Sequence, residues 1–208
     1  MDLALDNVDG ISNPVVIPPA YGLQGIRSVT YTGDGQDLAY WNRYVAVAEM
    51  GGQGTVVEPR LNLSITHGTQ DLVSAKLPAL QAYQLSLQAP QAPAGSVDAA
   101  AAGRGKVIFE GTGQCATCHS GALFTDANMK LHPPVDSMVE PEAFSYAARS
   151  ASKRYRSTPL RGAWQHAPYF HNGSAATLVD VVQAYNLKRA LGLSNAEVAD
   201  LAQYLESL

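Results

Sequence analysis

Cys115, Cys118 and His119 stand together in the stretch GTGQCATCHSG, and these two cysteines are the only ones in 208 residues. A C-x-x-C pair serves as a structural disulfide, a redox dithiol, half of a zinc site, or the attachment point of a c-type haem. The adjacent histidine separates these uses. In a haem site each thiol adds across one vinyl group of the porphyrin, and the short loop delivers the next imidazole to the iron. A zinc site wants four ligands; His166 and His171 are suitably separated from each other but lie far from Cys118 in the chain, with Pro168 between them. A thioredoxin-like dithiol wants a βαβ context, which the surrounding pattern lacks. The residues therefore point to one covalently attached haem c per chain.

Such a site needs elements to hold it. The run SVDAAAAGRGKVIFEG before the motif predicts a helix from near Ser96 toward Glu110, with Gly103 and Gly105 thinning its surface for close contact. The chain closes with LSNAEVADLAQYLESL, where Ser194 and Glu197 form a capping box and Val198, Leu201, Ala202, Leu205 and Leu208 recur at helical spacing. Two helices crossing beside the haem are expected. Between them lies RYRSTPLRGAWQHAPYFHNGSAATLVDVVQAYN. There Pro159 biases Thr158 toward extended backbone, Pro168 stiffens the next bend, and Asn172-Gly173 signals a turn. Ser174 or Thr177 can cap a helix carrying Leu178, Val181, Val182 and Tyr185, which leaves Tyr169, Phe170 and His171 on a rigid loop before it.

Composition narrows the partners. Apolar residues at 46% fit a globular chain, while 15% charged residues and a net charge of −4 argue against a nucleic-acid ligand. Lys153, Arg154 and Arg156 form the one visible basic cluster. No apolar run approaches the ~18 residues of a membrane span. The opening MDLALDNVDG has neither the basic flank nor the apolar stretch of a signal peptide, so an export signal is expected upstream or already removed.

Taken in order, CATCHSGALFTD, TPLR, APYFHNG and TLVDVV resemble the C-terminal haem domain of the di-haem cytochrome c peroxidase and MauG family over residues from about 99 to 208. The family's T-P-x-L-R is shortened here. The resemblance implies a mainly α, cytochrome c-like domain with His119 as proximal iron ligand and Cys115 and Cys118 as thioether links. It also implies a periplasmic or otherwise extracytoplasmic bacterial location and a redox partner protein. The family's distal ligand is often a methionine, and in MauG a tyrosine, after the H-x-G turn. No methionine follows that turn here, and the nearest tyrosine is Tyr185. His171 is its rival, Met129 and Met138 are further candidates from a less regular segment, and a vacant sixth position stays open. Arg161 and Arg156 are candidates for the haem propionates, and Tyr169 and His171 for the wall of the cofactor site.

The N-terminal part echoes the C-terminal part: Pro19, Tyr31, Gly35 and Leu38 align with Pro159, Tyr169, Gly173 and Leu178 at offsets of 140, 138, 138 and 140. Residues 1–88 are therefore expected to be a smaller, loop-rich helical subdomain, degenerate or truncated and without its own haem motif. Residues 89–98 read as a linker and 99–208 as the haem domain; EPRLNLSITHGTQD reads as an extra loop. Gly33 stands where the H-x-G histidine would be. The expected function is one-electron transfer. The alternative is a haem peroxidase or MauG-like oxidase, with His166, His171 and Glu110 nominated as acid or base, in a longer di-haem protein. A purely structural haem module is a third reading.

Overall fold

The computed structural model describes residues 15–59, 62–134 and 146–208. Among them the fold is mainly α. The helix before the motif, α3, spans Ala99–Glu110 and starts three residues later than Ser96, because the Asp98 side chain accepts hydrogen bonds from the Ala100 and Ala101 amides. Helix α4 is Leu178–Lys188, capped by Thr177, whose hydroxyl takes the Asp180 amide while the Asp180 carboxylate takes the Thr177 amide. The last helix, α5, is Asn195–Glu206, with the expected reciprocal box between Ser194 and Glu197.

These three helices bury one face each. Ile108 and Phe109 of α3, Leu178 and Val182 of α4, and Val198, Leu201, Ala202 and Leu205 of α5 form one core. The crossing of α3 on α5 is close because Gly105 has no side chain: a Cβ there would lie 2.0 Å from the Asp200 carbonyl oxygen. Gly103, expected to share that role, faces open space and has nothing within 4 Å of a would-be Cβ. It lies on the far side of the helix, two residues and so about 200° around from Gly105.

Toward the N-terminus, α1 (Leu38–Tyr44) runs into a π-helical turn, Val45–Glu49, and is followed by a hairpin and α2 (Leu77–Ser86). The hairpin strands β1 (Gly54–Glu58) and β2 (Leu63–His67) pair antiparallel, Gly54 opposite His67. Here the structure corrects the sequence reading, which puts all of EPRLNLSITHGTQD in an extra loop, whereas Leu63–His67 is a strand. Leu63 and Ile65 alternate with Ser64 and Thr66, and the apolar pair packs against the core of Tyr44, Val47, Val56 and Val73. Period-two alternation over so few residues is a weak pattern unless its partner strand is in view.

Helices α1 and α4 begin 140 positions apart, on Leu38 and Leu178, each preceded by a side-chain cap. The N-terminal part is stitched to the rest. Val16 N donates to the His171 carbonyl (2.7 Å), and the Tyr21 hydroxyl to Gly162 O (2.9 Å). Asn128 bridges Gly25 O and Arg27 N (2.6 and 2.8 Å), while Asp34 accepts from the Ala151 and Ser152 amides (3.2 and 2.9 Å). Between the two parts the chain carries no helix or strand until Ala99, and Trp164 fastens it by donating to Pro90 O at 3.1 Å.

Candidate functional site

Helix α3 delivers the cysteine motif directly. Its last turn is closed by Gly113 N donating to Ile108 O (2.8 Å), and Gln114 takes left-handed backbone (φ 54°) to start a short turn at Cys115–Thr117. His119 N then donates to Cys115 O at 2.9 Å, which folds the five-residue motif into a compact helical turn. Cys115, Cys118 and His119 consequently line one cavity of about 280 Å³. Both thiols are free.

The His119 imidazole is aimed by its second nitrogen. Nδ1 lies 3.1 Å from the Phe124 carbonyl oxygen; donation there puts the proton on Nδ1 and leaves Nε2 with the lone pair a metal needs. Burial pushes the His119 pKa below its ordinary value, against the pull of the Phe124 and Thr158 backbone and the Asp126 carboxylate. The ring is thus held neutral, the ligating form. Burial likewise raises the Cys115 thiol to about 11, so it remains an S–H group at neutral pH.

The rest of the wall is largely apolar and aromatic. Phe109, Leu178, Val181, Val182, Leu201 and Leu205 come from the three helices, and Pro19, Tyr21 and Tyr31 from the N-terminal part. Tyr169, His171 and Tyr185 all line the cavity. Each sits differently. The Tyr169 hydroxyl donates to Ala163 O (2.9 Å), so its polar end is used within the loop. His171 is buried, stacked on Tyr155 (ring centroids 5.0 Å) and edge-on to Tyr31 (6.1 Å). Tyr185 projects from α4 beside Phe170.

The two arginines part company. Arg161 is exposed at the mouth, where its Nε donates to Ala122 O (2.9 Å) and its guanidinium lies 5.3 Å over the Phe124 ring. Arg156 is buried: NH1 donates to Ser28 O (2.8 Å), Nε has no acceptor, and burial lowers its pKa to about 10 with only the Tyr31 phenol acting against it. It therefore drops out of the surface basic cluster with Lys153 and Arg154. Met129 is 82% exposed and is not part of the cavity wall, which removes it as a distal ligand in this arrangement; Met138 lies outside the described residues. Of the nominated acid or base groups, His166 and His171 line the cavity, whereas Glu110 points to solvent beside Lys106.

One cluster escaped the sequence reading. Asp126 and His132 are buried, with His132 Nε2 3.0 and 3.1 Å from the two carboxylate oxygens, and the Ser157 hydroxyl donates to the same carboxylate. Their i, i+6 spacing in TDANMKLH carries little signal, since Ser157 and the contact with Cys118 arrive from distant parts of the chain. Cys118, Asp126 and His132 present ligand atoms within 4.8 Å of one another. That is one donor short of a closed structural zinc site, and Cys115 does not complete it.

A haem fits these residues better. Two thiols and an imidazole share the wall of a mostly apolar cavity, and a buried guanidinium with an orphaned N–H waits on the same wall for an acid. An unpaired buried cation is costly, and a haem propionate is the planar, bidentate partner its fork accommodates.

Comparison with known proteins agrees. Residues 154–190 match the family model described as RoxA-like, cytochrome c-like. The cytochrome-c peroxidase IdrP1 of Denitromonas iodatirespirans is 28% identical over 151 residues, covering 52% of this chain and 40% of that protein. The chain thus spans about two fifths of the length of that curated relative. Among solved structures, a MauG-like protein associated with microbial copper homeostasis superposes with a TM-score of 0.61 at 19% identity, covering 94% of this chain and 73% of that one. Hydrazine synthase of Kuenenia stuttgartiensis gives 0.52 at 23% identity, covering 83% and 62%. At such identities the structural matches speak for the fold.

The fold and the site define a mainly α, cytochrome c-like haem protein. Its motifs and its peroxidase relative make it similar to the di-haem cytochrome c peroxidases and MauG-like proteins.

Proposed function

We propose that the chain holds one covalent haem c in this cavity and passes single electrons to and from a redox partner protein outside the cytoplasm. The observation that carries the reading is the convergence of Cys115, Cys118, His119 and the buried Arg156 on one apolar cavity. When bound, the haem supplies a one-electron couple at its iron. Cys115 and Cys118 would hold it through thioether bonds to its two vinyl groups, the hydrogen of each thiol passing to the neighbouring vinyl carbon. His119 presents Nε2, with its Nδ1 proton kept on the Phe124 carbonyl. Arg156 would pair with a propionate, and the apolar side chains of α4 and α5 would exclude water. Tyr185 and His171 are the candidates for the sixth position. The extracytoplasmic location follows from where the resembled family attaches its haem.

The test is expression of the full chain in a host competent for cytochrome maturation. A denatured, acid-acetone-washed protein that keeps its colour and exceeds the polypeptide mass by one haem supports the reading, and a colourless protein at bare mass overturns it. A peroxidase-type reading is favoured by the named function of the relative and by His166 and His171 on the cavity wall. The two divide on ligand exchange: electron transfer predicts a six-coordinate low-spin spectrum in both oxidation states, unmoved by cyanide, and peroxide chemistry needs an iron that takes cyanide readily.

A further inference from the structure

The Asp126–His132–Ser157 cluster is buried deeper than a chain of short polar side chains needs to be. Asp126 is 6% exposed, His132 8% and Ser157 9%. The carboxylate stands within 4.8 Å of Cys118 Sγ, at the edge where a vinyl group would be bonded. His132 is fixed by two backbone hydrogen bonds to Tyr155 (2.6 and 2.8 Å), and the Ser157 carbonyl accepts from the Thr125 hydroxyl. The cluster is therefore built into the framework on both sides of the motif. Burial alone would raise the Asp126 pKa, but the Ser157 hydroxyl and the His132 imidazole outweigh it and hold the acid below its ordinary value. The carboxylate is thereby kept ionised beside Cys118.

We propose that Asp126, held by His132 and Ser157, is a charge-positioning residue that lowers the reduction potential of a haem attached at Cys118. The inference rests on the covalent-haem reading above. Reduction adds one electron, and no proton, to the ferric iron and cancels one positive charge. A fixed carboxylate in a low-dielectric wall favours the more positive, oxidised state, and its effect is strong because little water screens it. The same carboxylate acts on His119 in the direction that favours positive charge on the imidazole.

The experiment is a mediated spectroelectrochemical titration of the haem-loaded full chain, with dithionite supplying the electron. Asp126→Asn should shift the equilibrium toward the reduced form at least tenfold, a rise of about 59 mV for one electron. Asp126→Glu, which keeps the charge, should return most of that shift. An unchanged potential in Asp126→Asn overturns the proposal. Should that variant fail to fold or load, Ser157→Ala decides by the opposite sign. Removing the hydroxyl that donates to the carboxylate leaves its charge less compensated, so the potential should fall; no change or a rise overturns the proposal. Failure of the parent chain to carry covalent haem would instead strike at the function proposed above, so the two failures are separable.

Discussion

At the scale of single residues, Arg156 shows how the site differs from an ordinary core. A buried guanidinium with one carbonyl partner and an orphaned Nε destabilises the haem-free chain, and replacing buried charge by apolar volume is often neutral or stabilising by ~1–4 kcal/mol. Arg156→Met should therefore melt no lower than the parent when both lack haem, and lower than the parent when both carry it, as thermal unfolding of the two forms would read. A variant that loses stability equally in both forms would make Arg156 a structural residue only. The cysteine motif was legible because its chemistry is local: five consecutive residues carry the thiols, the imidazole and the turn that joins them. Arg156 was not. In sequence it stands beside Lys153 and Arg154 and reads as surface, and only the N-terminal part folding over it, with Ser28 O and Tyr31 as neighbours, buries it. Asp126, His132 and Ser157 were hidden for the same reason.

At the scale of elements, the α3–α5 crossing carries the motif, and its two glycines make opposite predictions. Gly105→Ala places a methyl group against the Asp200 backbone, which no rotamer change relieves, so it should cost more than ~1 kcal/mol in denaturant unfolding. Gly103→Ala meets nothing and should gain ~0.5–1 kcal/mol from the helix preference of alanine. Acid tests the same crossing. The Ser194 amide and hydroxyl hold Glu197 below its ordinary pKa, and Arg104 does the same for Asp200. A lowered folded pKa means stability that is present above the unfolded values, roughly 4.3 and 3.9, and lost as pH falls through the folded ones. The melting temperature of the parent should drop between pH 5 and pH 3 more steeply than that of Glu197→Gln/Asp200→Asn. The Ser194–Glu197 box and all three long helices of the haem domain were legible, since caps and 3.6-residue periodicity are written locally, while Thr177 was one of two caps the sequence offered for α4 and its reciprocal bond with Asp180 went unread. The hairpin was not, because Leu63 and Ile65 gain their meaning only from Val56 across the pair.

At the scale of the whole molecule, the question is whether the N-terminal part is a passenger or a wall. Pro19, Tyr21 and Tyr31 line the cavity, and hydrogen bonds donated by Val16 and Tyr21 and accepted by Asp34 tie that part to the loops around His171, Gly162 and Ser152. A group bound in a cavity that both parts enclose stabilises only the assembled state, and so couples their unfolding. The chain supplies its own reporters, for its two tryptophans fall one on each side. Trp41 stacks on Tyr44 in the N-terminal core, and Trp164 sits in the haem domain against Pro90. Haem-loaded Trp164→Phe, which leaves Trp41, and Trp41→Phe, which leaves Trp164, should show fluorescence midpoints that coincide with each other and with the Soret transition, the mark of one cooperative unit. A Trp41 transition that runs ahead of the Soret change would mean that the N-terminal part comes away while the haem stays held. Its tyrosines would then be neighbours of the cavity and no part of what keeps the cofactor in place.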